Sequence, residues 1–89
     1  MTVELFGLAR ALAGAAFVEV PLREPATREE LIAALGTAVP LLVGSVIAPD
    51  RISFLAPNYL LLDGARSVDA GVRITAGDRP CVMMLASGG

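Results

Sequence analysis

The residues whose types and spacing best suit chemistry stand at the end of the sequence. There "MMLASGG" runs a hydrophobic stretch into Ser87, Gly88 and Gly89. Glycine has no Cβ and holds no single conformation, and chain ends are mobile unless tied down. A thin, mobile tail over 87–89 is therefore expected, able to enter a narrow channel. Acyl chemistry suits such an end. A carboxylate on Gly89 can be activated as an acyl-adenylate, and a sulfur or amine nucleophile can then take the acyl group. A linker end or a residual cloning segment would give the same two glycines without that chemistry.

The rest of the chain offers little that competes. Histidine and lysine are both absent, which removes the commonest general base and any side-chain amine. Cys81 is the only cysteine, so it forms no internal disulfide and no metal pattern, and a reducing cytoplasm is the simple expectation. Cys81 could accept or relay sulfur; the favoured reading is an inert residue in a buried strand. Glu29 and Glu30 are neighbours on one predicted helix and point apart. Asp63 and Asp78 sit in turn sequences, where local backbone bonding is their usual work. No phosphate loop, metal spacing or nucleophile–base pair is present. The chain does not read as an enzyme by itself, and no metal is expected.

Composition narrows the partners. The chain has 89 residues, 55% hydrophobic and 18% charged, with a formal net charge of −2. One domain with a thin core fits that length. The apolar share is high for a soluble domain, and a sticky patch would mark a protein partner. All seven basic residues are arginines, scattered from Arg10 to Arg79. No basic stripe forms, so nucleic acid is not an expected partner. The start lacks the basic leading region of a signal peptide, and the longest apolar run, 41–48, is too short to span a bilayer. A cytoplasmic location without a membrane is expected.

The elements that must position the tail can be read from periodicity. Alternation predicts a strand over 2–6 and another over 16–22, limited at its end by Pro21. Leu5, Leu8, Ala9 and Leu12 would permit a helix, but 8–14 is read as a short helical turn or loop. The clearest helix spans 26–36. Thr27 is its N-cap, Glu30 completes a capping box, and Gly36 stops it. Residues 41–47 suit a short helix or a strand. From Pro49 the pattern gives loop, strand, turn and strand. Leu60–Leu62 is strand, and Asp63-Gly64 is a two-residue hairpin signal. A turn at 76–78 precedes a last strand over 81–86, apolar on both faces as a central strand buried on both sides would be. Placing that strand beside the first gives an α+β domain over 1–86. It is a ubiquitin-like β-grasp with a mixed sheet of four to five strands and one main helix.

Four segments in order carry a family resemblance: "LFGLARALAG", "ATREELIAALG", "LLLDGARSV" and "ITAGDRPCVMMLASGG". Together they resemble the MoaD/ThiS sulfur-carrier family, which includes the small subunit of molybdopterin synthase. The resemblance spans nearly the whole chain and is most specific at "LFGLAR", Gly77-Asp78 and the closing "SGG". It implies that an E1-like enzyme adenylates Gly89 with ATP. The product is converted to a thiocarboxylate that donates sulfur, with Gly88 and Ser87 as the threading tail. It further implies that Phe6, Arg10 and Met83 face a partner, most simply the molybdopterin synthase large subunit, which would supply the catalytic groups. Core packing for Phe6 and Met83, and a solvated charge for Arg10, are the plain alternatives. The chain departs from the family at two places. Arg79 and Pro80 follow Asp78 where an acidic residue is usual, and Met84-Leu85 replace prolines before the tail. Other open readings are a carrier for thiamin thiazole, cysteine or a specialised metabolite, a ubiquitin-like modifier ending on a target lysine, and a plain β-grasp binding module.

Overall fold

The structure is a computed structural model that describes residues 1–64, 66–67 and 71–84. Strand β1 (Thr2–Leu5) leads into helix α1 (Gly7–Ala13), and β2 (Phe17–Glu19) returns antiparallel to β1. Helix α2 (Arg28–Ala38) follows, then a single 3-10 turn at Pro40–Leu42. Strands β3 (Asn58–Leu62) and β4 (Arg66–Ser67) pair as a hairpin. A second 3-10 turn, Ala76–Asp78, leads to β5 (Cys81–Met84). The sheet order is β2-β1-β5-β3-β4, with β5 parallel to β1 and antiparallel to β3. This is the ubiquitin-like β-grasp that the strand order predicts, with the last strand in the middle of the sheet.

Alternation builds the core. Val3 and Leu5 of β1, Leu60 and Leu62 of β3, and Val82 of β5 turn one way. They meet Leu31, Ile32 and Leu35 of α2 and Ala9 of α1 in one buried cluster. Each fully buried Leu or Ile contributes about 1.5–3 kcal/mol of transfer free energy. Helix α2 starts where its cap directs. The Glu30 amide donates to Thr27 Oγ1 at 3.1 Å, and the Thr27 amide donates to Glu30 Oε1 at 2.9 Å.

Five local expectations are corrected. Residues 7–13 form a helix of about two turns, longer than the short helical turn or loop expected, because Ala9 and Leu12 press into the core. Gly36 does not stop α2. It is buried inside the helix, where a Cβ would lie 3.3 Å from Val43 Cγ2. It lets the helix pass close to the segment beyond its own end. Residues 41–47 are neither a helix nor a strand. They begin in the 3-10 turn and close through a Val43–Ile47 bridge, with Leu42, Val46 and Ile47 buried. The strand expected after Asp50 reduces to one bridge from Phe54 to Ile47, and β3 begins at Asn58, two residues early. The hairpin register pairs Leu62 with Arg66, so three residues rather than two connect the strands. Asp63 and Gly64 nonetheless take the left-handed φ values that Asp-Gly predicts, 54° and 72°.

Strand β5 is central, but only one of its faces enters the core. Val82 is fully buried there, whereas Cys81 and Met83 point to the opposite side and Met83 is half-buried. The expected end of this strand at 86 and the tail over 87–89 lie outside the described residues. No helix among the described residues is long and apolar enough to cross a membrane.

Candidate functional site

The helices take one face of the sheet. The other face is assembled by register alone. Glu4 lies between Phe17 of β2 and Cys81 of β5, and Cys81 lies opposite Leu61 of β3. One step further along, Met83 lies opposite Tyr59. Phe6 follows Leu5, which pairs with Val82, so Phe6 comes level with Met83. The Phe6 amide donates to the Val82 carbonyl at 3.0 Å and locks this alignment. Among the described residues no helix or strand covers this face. Phe17 is 60% exposed on it.

A shallow depression of about 340 Å³ lies at its centre, lined by Glu4, Phe6, Asp63, Gly64, Arg79, Cys81 and Met83. Phe6 and Met83 are thus brought together. Arg10 is exposed on α1 and does not line the depression. Gly89, Gly88 and Ser87 lie outside the described residues, so the structure gives the end of β5 that leads toward them and no more.

The rim is built by Asp63 and Asp78, both expected in turns, with Arg79 directly after the second turn. The Asp63 amide donates to the Asp78 carbonyl at 2.7 Å, and Arg79 Nε meets Asp63 Oδ1 at 3.2 Å. These contacts tie the β3–β4 turn to the 3-10 turn ahead of β5. Thr75 and Asp78 form their own capping box, with the Thr75 amide donating to Asp78 Oδ2 at 2.9 Å. Arg79 then adopts a left-handed φ of 48° as that turn ends. An exposed pair such as Arg79–Asp63 adds little stability. It places a cation beside a carboxylate on the rim.

Cys81 is 4% exposed, and burial pushes its thiol pKa up, with the charge of Glu4 adding to the rise. A raised pKa disfavours the thiolate, which is the reactive form. The inert reading of Cys81 fits this geometry. No group of three or more His, Cys, Asp and Glu residues that could hold a metal occurs among the described residues.

Comparison with solved structures adds to this geometry. The chain is similar to SAMP1 from Haloferax volcanii, with a TM-score of 0.80 and 28% sequence identity. The match covers 100% of this chain and 98% of that one. A second crystal structure, of H. volcanii small archaeal modifier protein 1, matches with a TM-score of 0.77 and 26% identity over 94% of each chain. No family model matches the chain, and no curated protein does. The β-grasp architecture therefore extends over the full length of a named small modifier.

Beyond the Asp63–Arg79 rim, Gly7 beside the end of β5 and Glu4 of the depression also had no role in the sequence reading. Gly7 carries a left-handed φ of 61°, and its missing side chain faces Met84. Glu4 sits beside Cys81 on the open face rather than merely alternating outward. The Gly within "LFGLAR" was the only available signal for the first. Nothing local marks the second, because its neighbour comes from the other end of the chain.

Proposed function

We propose that this chain is a ubiquitin-like carrier whose Gly89 carboxylate is activated and passed on, and that it is a co-substrate rather than a catalyst. The likeness to SAMP1 along the whole chain carries this reading, together with the Gly88-Gly89 pair. An E1-like enzyme would join the Gly89 carboxylate to the α-phosphate of ATP, releasing pyrophosphate. A sulfur nucleophile then displaces AMP from the acyl carbon and leaves a thiocarboxylate. The open face with Phe6 and Met83 would dock, Arg10 would add a charge at the edge of the contact, and Ser87 and Gly88 would thread. The sulfur acceptor would sit on a larger partner, and the molybdopterin synthase large subunit is the specific proposal.

A second reading shares the activation step and differs in the acceptor. The neighbours are described as small archaeal modifier proteins, which favours transfer of Gly89 to an amine on a target protein. The absence of lysine from this chain would then prevent lysine-linked chains of it.

Intact mass decides between them. The protein is incubated with ATP, a sulfide source and the E1-like enzyme of the same genome, beside a Gly89-deleted control. A gain equal to one oxygen replaced by sulfur, absent in the control, supports the sulfur carrier. Conjugates to lysines of other proteins, without that gain, support the modifier. Neither product, with an enzyme active on its own carrier, overturns both.

A further inference from the structure

We propose that Glu4 is the specificity-determining residue of the open face: it selects an activating enzyme that brings an arginine or lysine onto the centre of that face. The inference rests on the reading of this face as the docking surface of a carrier.

Glu4 is a charge set among apolar neighbours. Across the sheet, Phe17 of β2 stands on one side of it and Cys81 of β5 on the other. Directly opposed residues on paired strands have Cβ atoms about 4.5–5.5 Å apart. Phe6, two residues along the chain, lines the same depression. The Glu4 amide donates to the Pro80 carbonyl and the Phe6 amide to the Val82 carbonyl, both at 3.0 Å. These bonds fix β1 against β5, so no slip of register can take the carboxylate off the face. Glu4 is partly buried even with the face uncovered.

Nothing in the described chain neutralises this charge. No hydrogen bond or ion pair among the described residues reaches the Glu4 carboxylate. Arg79 lines both the depression and a neighbouring hollow of about 160 Å³ together with Glu4, yet its Nε meets Asp63 Oδ1 instead. The charge of Glu4 is felt at the Cys81 thiol, whose pKa it helps to raise. Water can solvate the carboxylate while the face is open. A partner laid over Phe6, Cys81 and Met83 strips that water away, and a buried carboxylate is costly unless it is paired. A guanidinium or ammonium at this point offsets the cost through charge-assisted hydrogen bonds, whereas an apolar or acidic surface there is rejected. The occupant is the activating enzyme, because activation comes first whether the acceptor offers sulfur or an amine.

The test is ATP–pyrophosphate exchange with the E1-like enzyme of the same genome, reading kcat and KM for the wild type, Glu4→Gln, Glu4→Arg and Glu29→Gln at low and high salt. Thermal midpoints are measured alongside. Glu29 lies on α2, across the sheet from the open face, so Glu29→Gln removes the same charge away from the contact. Glu4→Gln is expected to raise KM about tenfold or more and Glu4→Arg about 100-fold or more, with kcat within about twofold. Salt should raise the wild-type KM more steeply than that of Glu4→Gln. Glu29→Gln should keep the wild-type KM. The thermal midpoint of Glu4→Gln should not fall, since the carboxylate has no partner within the described chain to lose. If Glu4→Gln keeps the wild-type KM or salt response, or if Glu29→Gln raises KM as much, the specificity role fails. A lower KM in Glu4→Arg would place an acid on the enzyme and overturn it too. Should Glu4→Arg not fold, Glu4→Gln alone decides. An inert wild type, with an enzyme active on its own carrier, overturns the carrier reading and this role with it; an active wild type with an indifferent Glu4→Gln overturns this role alone.

Discussion

Phe6 and Met83 line one depression on the uncovered face of the sheet although they come from opposite ends of the sequence. The parallel pairing of β1 with β5 puts them there, and neither is buried in the core cluster. On the proposed reading the two side chains anchor a partner, and a few anchors carry most of a contact's affinity. Met83→Glu should therefore raise the KM of activation about tenfold or more, equivalent to at least about 1.4 kcal/mol of lost binding. The thermal midpoint should change little, since Met83 is only half-buried. An unchanged KM would move the docking surface elsewhere on the molecule.

The reciprocal bonds of Thr27 and Glu30 give a stability prediction independent of function. Thr27→Ala removes the hydroxyl that accepts the Glu30 amide and should cost about 1 kcal/mol in urea unfolding. The m-value should stay constant. A loss below a few tenths would mean that water replaces the cap without penalty.

Acid should destabilise the protein, and the direction follows from its carboxylates. The backbone amide of Thr27 holds Glu30 below the ordinary value of 4.5, and the amide of Ile52 holds Asp50 below 3.8. A bond from the N-terminal ammonium lowers Glu19 likewise. A group with a depressed folded pKa stabilises the fold fully above its unfolded pKa. That contribution is lost as pH falls through the folded value. Stability should thus decline from about pH 5 downward, and Glu30→Gln should flatten part of the slope. Urea midpoints from pH 7 to pH 3 test this, and an unflattened slope in Glu30→Gln would refute the assignment.

Cys81 should resist alkylation. Its raised pKa keeps the thiol protonated and its burial blocks access. Iodoacetamide labelling near pH 8 should be slow in the native protein and fast in urea. Labelling at the rate of a free thiol in the native state would contradict the buried placement. The same shift means that alkaline conditions weaken the fold, since ionisation through pH 9 and above is easier in the unfolded chain.

Gly36 offers a packing test. Gly36→Val would press into Val43 and Ile47 and should cost about 1–3 kcal/mol by overpacking. Equal stability would show that the 40–47 segment yields freely.

What was legible in the sequence was local. The Thr27–Glu30 box, the left-handed backbone of Asp63 and Gly64 and the alternation of Val3 and Leu5 each depend on residues within a few positions. Each appears in the structure. The centrality of 81–84 was legible because Cys81, Val82, Met83 and Met84 are apolar in succession. That pattern could not show that one side of the strand meets helices and the other meets none. Gly36 misled for a related reason: a glycine after an apolar stripe usually ends a helix, and only the tertiary approach of Val43 explains one inside it. Helix α1 was undervalued because its apolar spacing is short and its first residue is a glycine in a left-handed conformation. The candidate site itself was half legible. Phe6 and Met83 came from family likeness, whereas the Asp63–Arg79 rim needed the fold to bring two turns together.

The first and last strands lie side by side and point the same way, joined by bonds from the Glu4 amide to the Pro80 carbonyl and from the Phe6 amide to the Val82 carbonyl, both 3.0 Å. Tension applied ahead of Thr2 and beyond Met84 would load these bonds simultaneously in shear, instead of peeling them one after another. A molecule held by its leading end and drawn by its trailing one would thus meet its strongest mechanical resistance along this seam, with the helix-covered core intact until the seam gives way.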